Sequence, residues 1–193
     1  TILPGSVLYR PAYRQSWAQF DPNLANQLLD EIGLKREDVD SIRILPDGRP
    51  AEIIVETAGE STEESDFLQL IHDRWLDVGI KLHIKPSQRD VVRNRIYAGD
   101  TIMSMFSGLE NGMAIPEWSP DELAPTKQIQ YQWPFWGQYV ETKGQSGQKV
   151  DMELPLRLTD LLDRWRIAKT REEREAIWHE MLAIHADQVY TIG

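Results

Sequence analysis

The chain contains no cysteine, which excludes disulfides, thiolate metal sites and a cysteine nucleophile. It also has no apolar run close to the ~20 residues that a membrane-spanning helix needs. Positive charge is scarce, because 21 Lys and Arg face 31 Asp and Glu, for a formal net charge of -10. Such a surface repels nucleic acids and anionic membranes, so we expect neither as a partner.

Sequence motifs of common enzymes are absent as well. The sequence has no G-x-S-x-G, no P-loop, no G-x-G-x-x-G and no H-E-x-x-H. Paired acidic residues such as Glu63-Glu64 fall in the first turns of predicted helices, where the helix dipole favours them without any catalytic role. No histidine pair has the i, i+4 spacing of a helical zinc site, so we predict polar surface residues at His72, His83, His179 and His185. We therefore expect no catalysis, no cofactor and no metal.

The segment from Phe20 to Gly33 predicts a helix with defined ends. Asp21 can accept a hydrogen bond from the first free N–H groups, and Pro22 suits the first helical position. Gly33 supplies the left-handed residue that ends such a helix. Its apolar residues recur on one face: Leu24, Leu28 and Ile32.

A strand, a helix and a second strand follow. Glu52 to Thr57 reads as a strand that is apolar enough at its centre to be buried on both faces. Ser61 to Glu64 offers a capping box for a helix. We expect one apolar helix face made of Phe67, Ile71, Trp75 and Val78. Ile80 to Lys85 alternates apolar and polar residues, so the three elements predict a parallel βαβ unit.

The remainder is less regular. A short helix is predicted at Asp90 to Tyr97 and a third strand at Thr101 to Phe106. Residues 107–150 show no helical or strand periodicity, apart from a possible helix start at Ser119 to Glu122. Two amphipathic helices close the chain, with predicted apolar stripes at Leu158, Leu161, Leu162, Trp165 and Ala168, and at Ile177, Trp178, Met181, Leu182 and Ile184.

The length suits a single domain over residues 1–193. The sequence shows no initiator Met and no signal peptide, and it closes on Val189 to Gly193, an apolar and strand-like run. We interpret both ends as those of a segment excised from a longer protein.

Several features occur in the order found in one family. The helix from Asp21 to Gly33 comes first, followed by the turn from Pro46 to Pro50, which leads into a strand. The join from Trp75 to Ile80 and the helix from Glu172 to Ile184 complete the set. Together they resemble the second lobe of extracytoplasmic solute-binding proteins of family 5, which serve peptide- and nickel-type ABC importers.

This resemblance implies an α/β fold: a small mixed sheet with a βαβ unit flanked by helices, as one lobe of a type II periplasmic-binding-protein-like fold. It implies a periplasmic, extracytoplasmic protein that captures a peptide, or an oligosaccharide, by hinge closure against a missing first lobe. The ligand is then delivered to an ABC permease in the membrane. The alternative from another class is a stand-alone α/β enzyme of unknown reaction.

A candidate ligand segment follows the third strand, where open α/β sheets bind ligands. It contains Phe106, Ser107, Gly108, Glu110 and Asn111. In the peptide binders that the chain resembles, an Asp here holds the α-amino group of the ligand, and Glu110 lies near that position. A solvated loop carboxylate is the alternative interpretation of Glu110.

Two tryptophans of the irregular region are further candidates. Trp133 and Trp136 carry flat rings suited to stacking on a sugar or a planar side chain. Alternatively, the rings fasten a long loop to the domain. Pro134 is expected to impose an extended backbone between them, so that at least one ring projects away from the core.

Overall fold

The computed structural model describes residues 2–105 and 111–192. The chain divides into two compact units: unit 1 comprises Thr1–Gln19 and Ser107–Gly193, and unit 2 comprises Phe20–Phe106. Unit 2 is contiguous in sequence, whereas unit 1 combines both ends of the chain. The single domain over residues 1–193 stays a prediction.

Within the described residues, helices and strands alternate only in unit 2. The helices of this part of the chain are α1 (Pro11–Gln15), α2 (Pro22–Glu31), α3 (Thr62–Asp77), α4 (Arg89–Tyr97), α5 (Pro134–Glu141), α6 (Glu153–Ile167) and α7 (Arg171–Gln188). The strands are β1 (Glu52–Thr57), β2 (Lys81–Pro86) and β3 (Met103–Ser104). A short 3-10 turn spans Asp121–Leu123, where the sequence had suggested a helix start.

The sheet of unit 2 is parallel, with the strand order β2-β1-β3. Val55 of β1 lies opposite Ile84 of β2 and Met103 of β3. The predicted βαβ unit is therefore confirmed as β1-α3-β2. Antiparallel pairing in the described part of unit 2 is limited to isolated bridges that Ile44 makes with Lys35 and Pro50. The predicted α/β fold is confirmed.

Local signals fixed the ends of α2. The Asp21 Oδ1 atom accepts a hydrogen bond from the Leu24 N–H at 2.9 Å, and Pro22 occupies the first turn. Gly33 follows with a φ of 86°, the left-handed conformation that the sequence predicted.

The apolar face of α3 differs from the prediction by one residue. Leu68 is fully buried against Val55 and Leu82, with Ile71 and Trp75 half-buried beside them. Phe67, which was assigned to this face, is 60% exposed. Two sets of positions follow the helical period here, one starting at Phe67 and the other at Leu68, and both continue through Ile71 and Trp75. The pattern alone could not decide which set faces the sheet.

β1 is buried on both faces only at its carboxyl end, whereas the prediction placed this burial at its centre. Val55 is buried against α3, but Ile54, which points to the opposite face, is 46% exposed. That face also carries Glu52 and Glu56, and α4 contacts it through Arg95 at the Glu56 end. Phe106, the predicted last residue of β3, lies outside the described residues, and β3 itself is only two residues long.

In unit 1, α6 and α7 form a helical hairpin around one core. The predicted stripes are confirmed, since Leu158, Leu161 and Leu162 are buried against Trp178 and Met181. The capping box of α7 is complete, because the Thr170 Oγ1 atom accepts from the Glu173 N–H at 3.1 Å and the Glu173 carboxylate accepts from the Thr170 N–H at 3.2 Å.

Three expectations for unit 1 were wrong. Pro134 is the first residue of α5, so the backbone between Trp133 and Trp136 is helical rather than extended, as suits a proline at a helix start. Val189 ends α7 in a left-handed conformation, and residues 189–192 form no strand. His179 and His185 are packed rather than on the surface.

Across residues 2–105 and 111–192, no helix is both long enough and apolar enough to cross a membrane.

Candidate functional site

The carboxyl edge of the sheet in unit 2 forms a hollow of about 510 Å³. Its walls are residues 58–60, which follow β1, and residues 86–89, which lead from β2 into α4. Open α/β sheets bind ligands at this edge, because strand ends and helix starts leave backbone polar groups available there. The hollow is thus the part of unit 2 best placed for a ligand.

Hydrogen bonds and a close contact shape this edge. The Thr57 Oγ1 atom donates to the Glu64 carboxylate and accepts from the Gly59 N–H, both at 3.1 Å. Gly59 has a φ of 64°, and a Cβ there would lie 3.0 Å from the Pro86 Cβ atom. The edge therefore requires a glycine where the chain leaves β1.

Charged groups also line the hollow. Arg89 forms a two-point ion pair with Glu60, with its Nε atom donating to Oε1 at 3.1 Å and its Nη2 atom donating to Oε2. Gln88, which precedes α4, makes no capping hydrogen bond with its side chain. The positive end of the α4 dipole therefore lies at the hollow, where it favours a negative or polar ligand group.

Glu56 is a buried charge that sequence reasoning missed. Its side chain is 2% exposed, and its two oxygens accept from the Arg95 Nε atom at 2.8 and 2.9 Å. The Lys85 Nζ atom lies 3.5 Å away. A glutamate directly after the apolar run Ile53–Val55, within the same strand, was the available signal, since an acidic residue in a buried strand needs a cation nearby.

Most of the predicted ligand segment lies outside the described residues, namely Phe106, Ser107, Gly108 and Glu110. Asn111 is described and belongs to unit 1. It is buried, and its Nδ2 atom has no hydrogen-bond partner among the residues that the structure describes. A buried, unpaired amide is costly, so this group is a donor that a ligand could satisfy.

The two predicted tryptophans differ in environment. Trp133 is 3% exposed, and its Nε1 atom donates to the Gln130 Oε1 atom at 3.2 Å. Its ring packs edge-on against His185 and Tyr190, with centroids 5.8 and 5.3 Å apart. Trp136 is half-buried against the same core and keeps part of its ring accessible.

Burial sets the protonation of two histidines in unit 1. It lowers the pKa of His185. The hydrogen bond between the His185 Nε2 atom and the Leu123 carbonyl oxygen, 2.8 Å apart, raises the pKa and partly opposes that shift. Burial also lowers the pKa of His179, whose Nδ1 atom is 2.9 Å from the Tyr13 hydroxyl. Burial thus favours the neutral form of both rings. Over the described ranges, no group of three His, Asp or Glu is arranged to hold a metal ion.

The match to a family model defines the class of the chain. Residues 1–129 match the model described as bacterial extracellular solute-binding proteins, family 5, middle region. The chain therefore belongs to the family 5 bacterial extracellular solute-binding proteins. The predicted resemblance is confirmed. A search of the curated proteins gave no match.

Solved structures with the same fold bind different ligands. The oligopeptide-binding protein OppA has a TM-score of 0.81 at 24% identity, with 100% of this chain and 32% of OppA covered. The periplasmic binding protein MelB from Agrobacterium fabrum C58, solved with stachyose, has a TM-score of 0.77 at 18% identity, covering 100% of this chain and 28% of MelB.

A third similar structure is the periplasmic oligopeptide-binding protein of Thermotoga maritima with bound mannohexaose. Its TM-score is 0.68 at 20% identity, with 98% of this chain and 34% of that protein covered. At these identities the likeness establishes the fold alone. The chain spans about a third of the length of these proteins.

Proposed function

We propose that the chain is the second lobe of a periplasmic solute-binding protein that serves an ABC importer. The protein would close two lobes over its ligand by a hinge motion, and the closed form would deliver the ligand to a membrane permease. No reaction is catalysed in this mechanism. The observation that carries the proposal is the family match over residues 1–129.

The proposed ligand is a peptide, with an oligosaccharide as the second candidate. OppA is named for oligopeptide binding, whereas two other proteins of this fold hold stachyose and mannohexaose. The accessible ring of Trp136 suits either class, because aromatic faces stack on sugars as well as on planar side chains.

The proposed contacts lie in the segment of Phe106, Ser107, Gly108, Glu110 and Asn111, together with Trp136. Glu110 would hold the amino group of a peptide, and the unpaired Asn111 amide would donate to the ligand. Trp133 would support the site without touching the ligand, because its ring is buried in the core and orients the start of α5.

Calorimetry on the full-length protein with a panel of short peptides and a panel of oligosaccharides tests the function. We expect binding to one panel and a loss of about 1–3 kcal/mol in Trp136→Ala, the scale of a lost aromatic anchor. If peptides bind, Glu110→Gln should weaken only peptides with a free amino terminus, whereas the control Glu172→Gln should bind normally.

Trp133→Ala distinguishes a tryptophan that stabilises the fold from one that contacts the ligand. It should lower the melting temperature strongly while the folded fraction keeps most of its affinity, because Trp133 is a core residue. Failure to bind either panel would contradict the proposed function, and unchanged affinity in Trp136→Ala would remove that ring from the site.

A further inference from the structure

A groove of about 760 Å³ runs along the surface of unit 1, between the first half of α6 and the last half of α7. Apolar side chains form its floor, among them Leu154, Leu156 and Ile184. Leu156 is 45% exposed. Leu154 and Ile184 beside it are half-buried, so the three residues form one apolar strip in a concave surface, as is typical of a protein-binding groove.

The rim of the groove is acidic, with carboxylates from Glu153, Asp160, Glu180 and Asp187. The only cation among the lining residues is Arg157. Its guanidinium is already engaged, with the Nη1 atom donating to Asp160 at 2.9 Å and the Nη2 atom donating to Glu180 at 2.6 Å.

Two rim carboxylates keep their negative charge available. Within the described residues, no Lys or Arg forms an ion pair with Glu153 or Asp187. The antiparallel packing of α6 and α7 brings them to the same end of the groove, with Glu153 in the first turn of α6 and Asp187 near the end of α7. The charge at that end of the groove is thus complementary to a cationic partner.

An exposed tryptophan is fixed at one end of the groove. The Trp17 Nε1 atom donates to the Asp187 carbonyl oxygen at 3.1 Å, while 58% of the residue stays exposed. Trp17 has a φ of 54°, which is rare for so bulky a residue. The backbone strain is retained although it leaves the ring in solvent, as is common for residues that serve a binding surface.

We propose that this groove docks a cationic, amphipathic helix of another protein. Leucine-like side chains at i, i+3 and i+7 of such a helix would contact Leu156 and Ile184, and its Lys or Arg residues would pair with Glu153 and Asp187. The Trp17 ring would cover one end of the bound helix. An anionic membrane is a poor occupant, because the rim carboxylates would repel it.

The first test asks whether the groove is open in the full-length protein. Leu156→Cys and the control Ile167→Cys place a thiol on α6 inside and outside the groove. Maleimide labelling rates of the two variants are compared in full-length protein from which any other cysteine has been removed. Similar rates are expected. Labelling of Leu156→Cys more than about tenfold slower than the control would overturn the proposal, because another part of the same polypeptide would then cover the groove.

The second test uses model helices of about 15 residues, a length at which isolated helices begin to be stable. One contains Leu and Lys in an amphipathic pattern, and its control contains Leu and Glu. Calorimetry with the full-length protein should detect binding of the Lys peptide but not of the Glu peptide. The affinity for the Lys peptide should fall as salt is added.

Variants then locate the binding. Leu156→Ser and Glu153→Lys should each weaken the Lys peptide about tenfold, whereas Ile167→Ser should not. Thermal melting confirms that each variant is folded. Equal affinity in all three variants would overturn the proposal, because the peptide would then bind elsewhere, for example in a ligand cleft. Absence of binding by the Lys peptide would overturn it as well.

Discussion

Gly137 lies where the first turn of α5 meets the backbone of residues 127 and 128. A Cβ atom at this position would be 2.0 Å from the Lys127 carbonyl oxygen and 2.2 Å from its carbonyl carbon. Both atoms are backbone, so they cannot move aside as the end of a flexible side chain could. The helix can pack here only because the residue has no side chain.

We therefore predict that Gly137→Ala destabilises the protein by about 3 kcal/mol or more, the upper range for overpacking. The control is Gly33→Ala, where a Cβ meets nothing within 4 Å but φ is 86°. It should cost about 1–2 kcal/mol through backbone strain alone. Urea unfolding measures both, and equal losses would mean that α5 shifts to accept the methyl group.

His185 makes stability depend on pH. Burial lowers its pKa in the folded chain below the ordinary value of 6.5, so the unfolded chain binds a proton more readily. Stability is then complete above that value and falls as the pH drops below it. His179, whose pKa is lowered by burial and by Arg10, acts in the same direction.

We predict that His185→Gln reduces the loss of stability between pH 7 and pH 5, because the amide can still donate to Leu123 but does not titrate. Urea unfolding at the two pH values, with His83→Gln as a matched variant, checks this. A loss as large as in the unmodified protein would show that His185 is not responsible.

At the scale of elements, an ion pair between Arg95 and the buried Glu56 joins α4 to the sheet. Arg95 is the only arginine of the described residues that bonds to Glu56, and Glu56 lies in the central strand with its side chain buried. Without Arg95, only the Lys85 Nζ atom at 3.5 Å would, among the described residues, offset the desolvation of the buried carboxylate. Arg95 thus holds the helix at its place on the sheet.

Arg95→Ala should cost about 3–5 kcal/mol of stability. The control Arg93→Ala breaks an exposed pair with Asp90 on the same helix and should cost at most about 0.5 kcal/mol. Adding Glu56→Gln to Arg95→Ala should recover part of the loss in thermal melting. If the double variant melts no higher than Arg95→Ala, Arg95 acts through packing instead.

Elements with local signals were predictable. Asp21 and Gly33 mark the ends of α2, and Thr170 with Glu173 marks the start of α7, because these residues satisfy backbone groups within one turn. α5 was missed since it is eight residues long and contains Gly137, so it shows no apolar period. Its stability comes from tertiary contact, which a sequence pattern does not reveal.

At the scale of the whole molecule, the proposed function encloses a ligand between two lobes, and closed sites bury about 70–90% of a ligand. This chain spans about a third of the related structures, so it would supply only part of such an enclosure. The family was predictable from the order of motifs. The ligand was not, because the choice of ligand depends on side-chain geometry that the order of motifs does not reveal.

We predict that the 193-residue chain alone binds its ligand far more weakly than the full-length protein. Calorimetry with the ligand identified for the full-length protein measures the difference. Circular dichroism on the same sample shows whether the chain is folded. Sub-micromolar affinity of the folded chain alone would contradict closure by two lobes as the source of binding.

The division of unit 1 between two distant segments has a consequence during synthesis. Leu8 of the first segment emerges about a hundred residues before the second segment begins at Ser107. At ~5–20 residues per second, the ribosome needs about 5–20 s to make the intervening unit. Unit 2 can complete its fold in that time, while Leu8 waits in solvent for α6 and α7. A nascent chain stalled near residue 140 should therefore contain a protease-resistant unit 2, whereas Thr1–Gln19 should still be cleavable.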